Sequence, residues 1–535
     1  MSDVDVLVIG SGPHGLAAAT TLADAGLTVL VLEKADHVGG AVVSAEATLP
    51  GFVHDLYAMS MNLFAGSAFY QKHRIELEEN GLAFVVSHQP YASAFPDGTS
   101  LKISTDEGRT LEMWRNHSPA DTEGWLQLGQ LYEDFTQIYF PAYGSPLPSK
   151  TIVSSLKALW KVRATTPISD FVQLMLSSTR TFGERYFTTP EAKSLAAAWG
   201  MHLDFGPDIG SGALFPLLEL YGNMRTGMYL VEGGASKLPT AMTRMIEARG
   251  GRVRTGAEVV QILTEDGATT GVRLSNGETL LAKRGVLTTT PLPKLVNDLL
   301  SEQPVPSAMI EGARNFRFGP GTFMIHLALS GPIPWSDPSL SDVCYVHVAP
   351  YVDDLARTYQ QAKAGILPDE PLVVVGQPSV ADPSRVPNPG QHTAWLEVRA
   401  VPADILGDAA GDLGATTWDD ARDSFAERII DKIERYAPGL REQILAQVSF
   451  SPLDLERVNP NLVGGDSVSG SHHQQQLFGF RPSWALNRYA TPIEGLFIAG
   501  AGTWPGGGVN CVSGPLAAER LLRDTRSTKL SFRHR

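Results

Sequence analysis

The chain reads as an α/β protein of two interleaved parts, and three features carry that reading. A β-branched run, Asp3 to Ile9, leads straight into a glycine-spaced turn and an Ala/Leu-rich stretch. A second such run, Leu27 to Leu32, ends on an acid, Glu33. Far away, Gly495 to Ala499 forms another strand-like run that opens into a glycine-dense loop. Apolar runs of this length, bounded by turn residues and alternating with helical stretches, predict a parallel sheet.

Each piece of the N-terminal unit has a physical role. Gly10-Ser11-Gly12-Pro13-His14-Gly15 is a G-x-G-x-x-G. Gly10 permits the tight turn, Gly12 lets backbone approach a pyrophosphate, and Gly15 lets the helix pack on the strand. The helix predicted over Leu16 to Ala25 points its unsatisfied N–H groups and partial positive charge at the phosphates, and Pro13 and His14, in the turn before it, are counted among the nucleotide-binding residues. Glu33 accepts hydrogen bonds from ribose hydroxyls and repels a 2′-phosphate, so the nucleotide is NAD or FAD and not NADP. Glu33-Lys34-Ala35-Asp36-His37-Val38-Gly39-Gly40 then places a glycine doublet just past the acid. A plain NAD unit has no use for it, whereas a long second ligand half needs backbone to pass close by.

With that doublet the segment resembles the extended fingerprint of FAD enzymes with the glutathione-reductase-like fold, the group that holds the amine oxidases and phytoene desaturases. The resemblance implies a glutathione-reductase-like, FAD-binding Rossmann domain interleaved with an α+β substrate domain. Those families usually carry Arg after the doublet, where this chain has Ala41.

Downstream, a helix is expected over Ser236 to Arg249. Strands follow over 252–255, 259–264, 269–274, 279–282 and 286–289, with Asp266-Gly267 and Asn276-Gly277 as hairpin turns. This resembles the β-meander of the same families, where a valine in the position of Val259 meets the adenine through its backbone. In the C-terminal loop, Gly500, Gly502, Gly507, Gly508 and Val509 leave room for a flat ring to lie on backbone. The helix expected over Pro515 to Leu522 favours negative charge at the N1–C2=O end of a reduced flavin. Gly464-Gly465-Asp466, Gln476-Leu477-Phe478, Arg481-Pro482, Tyr489 and Thr491-Pro492 complete a pattern similar to the phytoene-dehydrogenase-related proteins. It lies nearer their broad branch, which includes proteins named for a pyridine nucleotide–disulphide oxidoreductase domain, than the dedicated carotenoid desaturases. That family typically has His where this chain has Trp504.

Composition narrows the rest. The chain has 535 residues, 43% hydrophobic and 19% charged, and carries a net charge of −14. This suits a large globular protein and argues against nucleic-acid binding. Two cysteines 167 residues apart, Cys344 and Cys511, make no CxxC redox pair and no thiolate metal site. No other metal-ligand spacing is found, so no metal is expected. A short, acidic, strand-forming N-terminus and the absence of an apolar span imply a cytoplasmic protein.

The expected division is a discontinuous FAD-binding domain, 1–75, 226–330 and 451–535, and a substrate domain, 76–225 and 331–450. The aromatic residues Trp114, Trp125, Trp160, Trp199, Phe205, Tyr132, Phe135, Tyr139, Phe140 and Tyr143 either fill core or line a cavity for an apolar substrate. Val153, Leu156, Leu159 and Val162 recur every three residues. Lys150, Lys157, Lys161, Arg163, Arg180 and Arg185 outnumber Asp170 and Glu184 over 150–185. That basic amphipathic stretch is a candidate peripheral membrane contact, the alternative being a solvated helix face.

The function expected is hydride transfer from an apolar, isoprenoid or polyene substrate to flavin N5. Without a second G-x-G-x-x-G unit for NAD(P), the electron acceptor is oxygen or a quinone. Three alternatives stand beside it: an amine oxidase, a redox-neutral double-bond isomerase, and a non-catalytic flavoprotein partner. For a base, His202, Asp204 and Asp208 cluster, and Arg481 and Tyr489 are placed near the flavin. Each has an equally available structural reading, and no base is assigned.

Overall fold

The computed structural model describes residues 4–146, 151–162 and 166–531. Its first sheet is built on Val4–Ile9, which pairs in parallel with Val29–Leu32 on one side and with the C-terminal half of Thr279–Thr288 on the other. Arg252–Arg254 extends the sheet beyond Val29–Leu32, and Leu496–Ile498 extends it beyond Thr279–Thr288, both in parallel. Val6, Val8, Val29 and Val31 bury one face against the helices Pro13–Asp24, Lys237–Ala248 and Ser513–Ser531. Leu7, Ile9, Leu30 and Leu32 bury the other against the strands Val259–Glu265 and Ala268–Leu274. Strands apolar on both faces are what a sheet covered on both sides requires.

Two expectations change here. The runs at 279–282 and 286–289 are one strand, Thr279–Thr288. Its first half pairs antiparallel with Ala268–Leu274 and its second half pairs parallel with Val4–Ile9. Gly285 makes the join, at φ +148°, with its Cα so close to Gly495 that a Cβ would stand 2.3 Å from the Gly495 carbonyl oxygen. Arg252–Arg254 is a strand of the nucleotide sheet and not part of the meander.

The second sheet orders its strands Ile444–Phe450, Gly321–Leu329, His392–Val401, Leu372–Gly376, Tyr345–Val348, Tyr91–Ala94 and Ser100–Ile103. Its pairings are antiparallel except Tyr345–Val348 with Tyr91–Ala94. Gly321–Leu329 therefore lies in the second sheet, on the other side of the division at 330 drawn from sequence. Phe323, Ile325, Leu396, Val398, Val346 and Val373 face the helix Trp418–Glu434 and bury Phe425, Ile429 and Ile433 with it. The alternate residues point the opposite way, as the period of two dictates.

The described residues between 107 and 226 form a helical block whose centre is aromatic. Trp114 stacks on Trp125 at 5.0 Å and on Phe187 at 5.4 Å, and Trp125 stacks on Tyr221 at 4.4 Å. A buried charge cluster ties the parts together. The Arg385 guanidinium, wholly inaccessible, donates to Asp55 at 2.9 Å, to Asp382 at 3.0 Å and to the Val231 carbonyl at 2.7 Å. The two carboxylates also accept the Ala235 and Gly233 N–H groups, which fixes the glycine turn ahead of the Lys237–Ala248 helix.

Candidate functional site

A single cavity of about 830 Å³ is lined by both sheets and by the helical block. One end holds Glu33, Lys34, Ala257 and Val259, the middle holds Gly10, Gly12, Pro13, His14, Gly15, Gly40 and Ala41, and beyond these come Gly500, Gly508 and Val509. Past the glycine loop it continues into a compartment walled by Trp199, Phe215, Met228, Met324, Tyr345 and Trp395.

The first end fits a dinucleotide on three counts. A Cβ on Gly15 would stand 2.0 Å from the Gly10 carbonyl oxygen, so the helix reaches the strand only because that residue is glycine. A Cβ on Gly12 would meet nothing within 4 Å, so that backbone faces open cavity. Gly12 caps the Pro13–Asp24 helix without any side-chain bond, which leaves its first N–H donors free for an anionic group. Glu33 is held in place at that end. Its Oε2 accepts the Ser11 N–H at 2.8 Å and the Ser11 hydroxyl at 2.7 Å, and its Oε1 accepts the Ala35 N–H at 3.0 Å. The Ser513 hydroxyl bonds His14 Nδ1 at 3.0 Å, and burial drops the His14 pKa to about 4, so the ring is neutral. Gly514 lies where a Cβ would stand 2.0 Å from the His14 carbonyl oxygen, which seats the C-terminal helix on the N-terminal one.

Not every predicted position reaches the cavity. Gly39, Gly502 and Gly507 are absent from its lining. Gly39 instead donates to Ser11, at φ +124°, and Gly507 donates its N–H to His472 Nε2 at 3.1 Å, so both shape the loops behind the wall. Ala41 lines the cavity with no cation; the Asn459 amide nitrogen lies 4.0 Å from where a Gly40 Cβ would stand. Trp504 is buried, donates Nε1–H to the Ser145 carbonyl at 3.0 Å and lies 5.3 Å from the Phe478 ring.

Of the five proton-transfer candidates, His202 alone lines the cavity. Its Nε2 is 3.1 Å from that of His347, and burial, with the charge of Arg399, holds its pKa well below normal. Asp204 accepts the Tyr359 hydroxyl at 2.9 Å and is closed off from the cavity. Asp208 ion-pairs with Arg180 at 2.6 Å, partly exposed. Arg481 is wholly buried and donates to the carbonyls of Ser469, Gly470, Ser471 and Ala501, which makes it the brace of the glycine loop. Tyr489 donates to the Trp504 carbonyl at 3.1 Å, and burial pushes its phenol far above the usual range. These two satisfy backbone and offer nothing to a ligand.

Of the compartment's walls the sequence singled out Trp199 alone, yet two signals for the others exist. In His392–Val401, Trp395, Glu397 and Arg399 alternate with Leu396 and Val398, so the three face the cavity while the aliphatics face the Trp418–Glu434 helix. Thr322 and Met324 stand opposite Arg399 and Glu397 on the neighbouring strand and line the same face. In the helix Leu214–Thr226, Phe215 and Glu219 are four residues apart on one face, while Leu217, Leu220, Tyr221 and Met224 enter the core. Glu397 ion-pairs with Arg399 at 2.9 Å, although burial still raises its pKa. Most of the aromatic residues singled out above fill core; among them only Trp199 lines the cavity.

Comparison with known proteins gives the family. Residues 15–382 match the profile of the flavin containing amine oxidoreductases. The rat (Rattus norvegicus) pyridine nucleotide-disulfide oxidoreductase domain-containing protein 2 is 24% identical, covering 98% of this chain and 94% of its own. A component chain of the limonene dehydrogenase of Castellaniella defragrans is 26% identical, over 98% and 96%. The neurosporene-forming phytoene desaturase of Cereibacter sphaeroides is also 26% identical, over 96% and 93%. Cyclohexylamine oxidase from Brevibacterium oxydans IH-35A superposes with a TM-score of 0.61 at 16% identity, covering 98% of this chain and all (100%) of that one, a likeness of fold.

Proposed function

The chain belongs to the flavin containing amine oxidoreductase family and is an FAD-dependent oxidoreductase, and on that premise we propose that it dehydrogenates an apolar substrate of isoprenoid or polyene type. One observation carries the proposal: the cavity is continuous from the Glu33 end to a compartment whose walls are mainly aromatic and aliphatic. Such walls favour apolar ligands and keep water from the reacting atoms.

In this reading the Pro13–Asp24 helix start and Gly12 hold the pyrophosphate, Glu33 holds the ribose, and Lys34 and Val259 flank the adenine. Gly500, Gly508, Val509 and Ala41 lie along the ring, with Gly39, Gly502, Gly507 and Arg481 supporting their loops. Bound there, the flavin supplies a two-electron acceptor at N5. The protein's part is to hold the substrate C–H against that atom. The electron acceptor is oxygen or a quinone, since the sequence has one G-x-G-x-x-G unit only. The domain boundaries follow the two sheets, with Gly321–Leu329 assigned to the substrate part.

The test is anaerobic mixing of the FAD-loaded protein with monoterpenes and longer polyenes. Bleaching of the flavin band is expected, together with a product two hydrogens lighter. Amines that bleach the flavin and yield peroxide under air, while no isoprenoid does, favour the amine-oxidase reading instead. Rapid stoichiometric bleaching by NADPH would remove the proposed electron route.

A surface consistent with collecting an apolar substrate lies on the helices Thr151–Val162 and Ile168–Leu176. Val153, Leu156 and Trp160 on the first and Ile168, Val172 and Leu176 on the second are exposed, Trp160 by 66%. Val162 is buried and Leu159 half-buried, so the three-residue stripe read from sequence turns inward along the helix. Lys150 and Arg163 lie outside the described residues. Among the described residues no helix is long and apolar enough to cross a membrane. The proposed contact is therefore peripheral, and salt-sensitive sedimentation with anionic vesicles tests it.

A further inference from the structure

Dehydrogenation removes a proton as well as a hydride, and the candidates named from sequence do not supply a group to take it. Arg481, Tyr489, Asp204 and Asp208 are committed elsewhere, and His202 is locked against His347. The cavity wall itself offers six carboxyl groups. Five already have hydrogen-bond or ion-pair partners. Glu33 accepts two backbone N–H groups, Glu258 pairs with Lys34, Asp298 and Glu456 share Lys294, and Glu397 pairs with Arg399. The sixth, Glu219, has no ion pair and accepts no backbone N–H among the described residues.

Glu219 has one side-chain donor, the Asn223 amide at 2.8 Å, one turn further along the same helix face. Asn223 is in turn held by Asn62, whose amide donates to its carbonyl oxygen at 3.2 Å. The carboxyl thus stands at a fixed point of a compartment walled by Trp199, Phe215, Tyr345 and Trp395. It is also on the side of the glycine loop. Tyr143 lies within electrostatic reach of Glu219 and hydrogen-bonds Asn510, and the Asn510 amide donates to the Gly508 carbonyl at 3.2 Å. Gly508 and Val509 line the same cavity.

We propose that Glu219 is the proton acceptor of the dehydrogenation, a proposal that rests on the function proposed above. One substrate C–H leaves as hydride to the oxidised flavin. The neighbouring carbon gives its proton to the Glu219 carboxylate, and the electron pair left behind becomes the new C=C bond. The proton then passes to solvent while the reduced flavin is reoxidised by the external acceptor. Burial supports the role, because it raises the pKa of Glu219 to about 7, so the ionised, accepting form is present near neutrality. Tyr91, Tyr132 and Tyr143 face it from neighbouring elements, all three held protonated by burial, and among the described residues no lysine or arginine is one of its electrostatic partners.

The test compares the FAD-loaded wild type with Glu219→Gln, which keeps the shape and the Asn223 bond. Infrared titration of the loaded protein without substrate is expected to show a protonated carboxyl that ionises near pH 7 and is missing from E219Q. Anaerobic flavin reduction by a monoterpene that reduces the wild type is expected to accelerate as pH rises to about 7 and then level off. In E219Q it is expected to be roughly 10²–10⁴-fold slower with that rise gone. Equal FAD affinity and equal melting temperature in the two proteins exclude a folding defect, and Glu219→Asp is expected to restore part of the rate with the pH rise. Reduction of E219Q at the wild-type rate with the wild-type pH profile overturns the role of Glu219 and leaves the dehydrogenase reading standing. A wild type whose flavin no isoprenoid reduces overturns both.

Discussion

At its nucleotide end the cavity is walled largely by backbone, and at its far end by side chains. Gly10, Gly12, Gly15 and Gly40 come from the first forty residues; Gly10 and Gly40 hold positive φ, Gly15 clears the Gly10 carbonyl, and Gly12 leaves its backbone open to the cavity. Trp199, Glu219, Tyr345 and Trp395 come from four elements in two structural layers, and each sits there because its immediate neighbours face the other way. A backbone site tolerates almost no change in residue type but needs little from the rest of the molecule. A side-chain site accepts substitution more readily and depends on the sheets and helices keeping their relative positions.

The sharpest way to break that contrast is to cut the link between the halves. Arg385→Met leaves Asp55 and Asp382 as buried unpaired carboxylates, and loss of one partner of such a cluster costs about 3–5 kcal/mol. Thermal unfolding is expected to show that loss with or without FAD. A variant of wild-type stability would mean that the two halves are not held by this cluster. Next in size is Gly15→Ala. Its methyl must displace the Gly10 carbonyl oxygen at 2.0 Å, an overpacking cost of about 1–3 kcal/mol. We expect that cost to appear as roughly 10- to 100-fold weaker FAD binding, read by flavin fluorescence on titration. Gly12→Ala meets no protein atom, so weaker FAD binding without loss of apoprotein stability is expected from it.

Glu33→Gln comes third. A charged acceptor is replaced by a neutral one facing the ribose and Ser11, worth about 1–2 kcal/mol in FAD affinity. Unchanged affinity would detach Glu33 from the ribose. A pH effect sharpens the other end. The folded pKa of Glu219, about 7, lies above its ordinary value of 4.5, so the native protein keeps a proton that the unfolded chain has released. Stability from this group is complete below 4.5 and is lost as pH rises toward 7. The melting temperature of the wild type is therefore expected to fall more steeply than that of E219Q between those values. The smallest effect belongs to the surface. Trp160→Ala removes a ring that is mostly exposed, so stability is expected to move by less than about 0.5 kcal/mol while binding to anionic vesicles weakens.

The same contrast explains what could be read from the amino-acid string. The Gly10 turn, the helix after it, Glu33 and the 496–498 strand are local patterns with fixed spacing, and the structure places them together. Arg481 and Tyr489 were legible as polar residues near the loop, but whether they face a ligand or a carbonyl depends on atoms 10–20 residues away. The aromatic run over 114–143 was visible too. Its stacking on Phe187 and Tyr221, which turns it into core, joins residues too distant for any window to link. Glu219 was hidden by its setting, a single acid in an apolar helix, and the period of four shared with Phe215 and Asn223 is the cue that marks its face. Alternation in 392–401 was equally available, since Trp, Glu and Arg at every second position of a buried strand must look onto something polar or empty.

The strand Thr279–Thr288 also bears on how the chain folds. Parallel pairing of 286–288 with 7–9 joins residues more than half the chain length apart, and closing so long a loop is entropically costly. The other half of that strand pairs with Ala268–Leu274 across a tight Asn276-Gly277 hairpin, a contact that forms locally and early. Because both halves share one backbone, the hairpin delivers the second half already extended and bent at Gly285, with its register counted from the turn. A local nucleus thereby templates the long-range pairing, and a residue inserted between 281 and 285 would misalign the central sheet while leaving the hairpin intact.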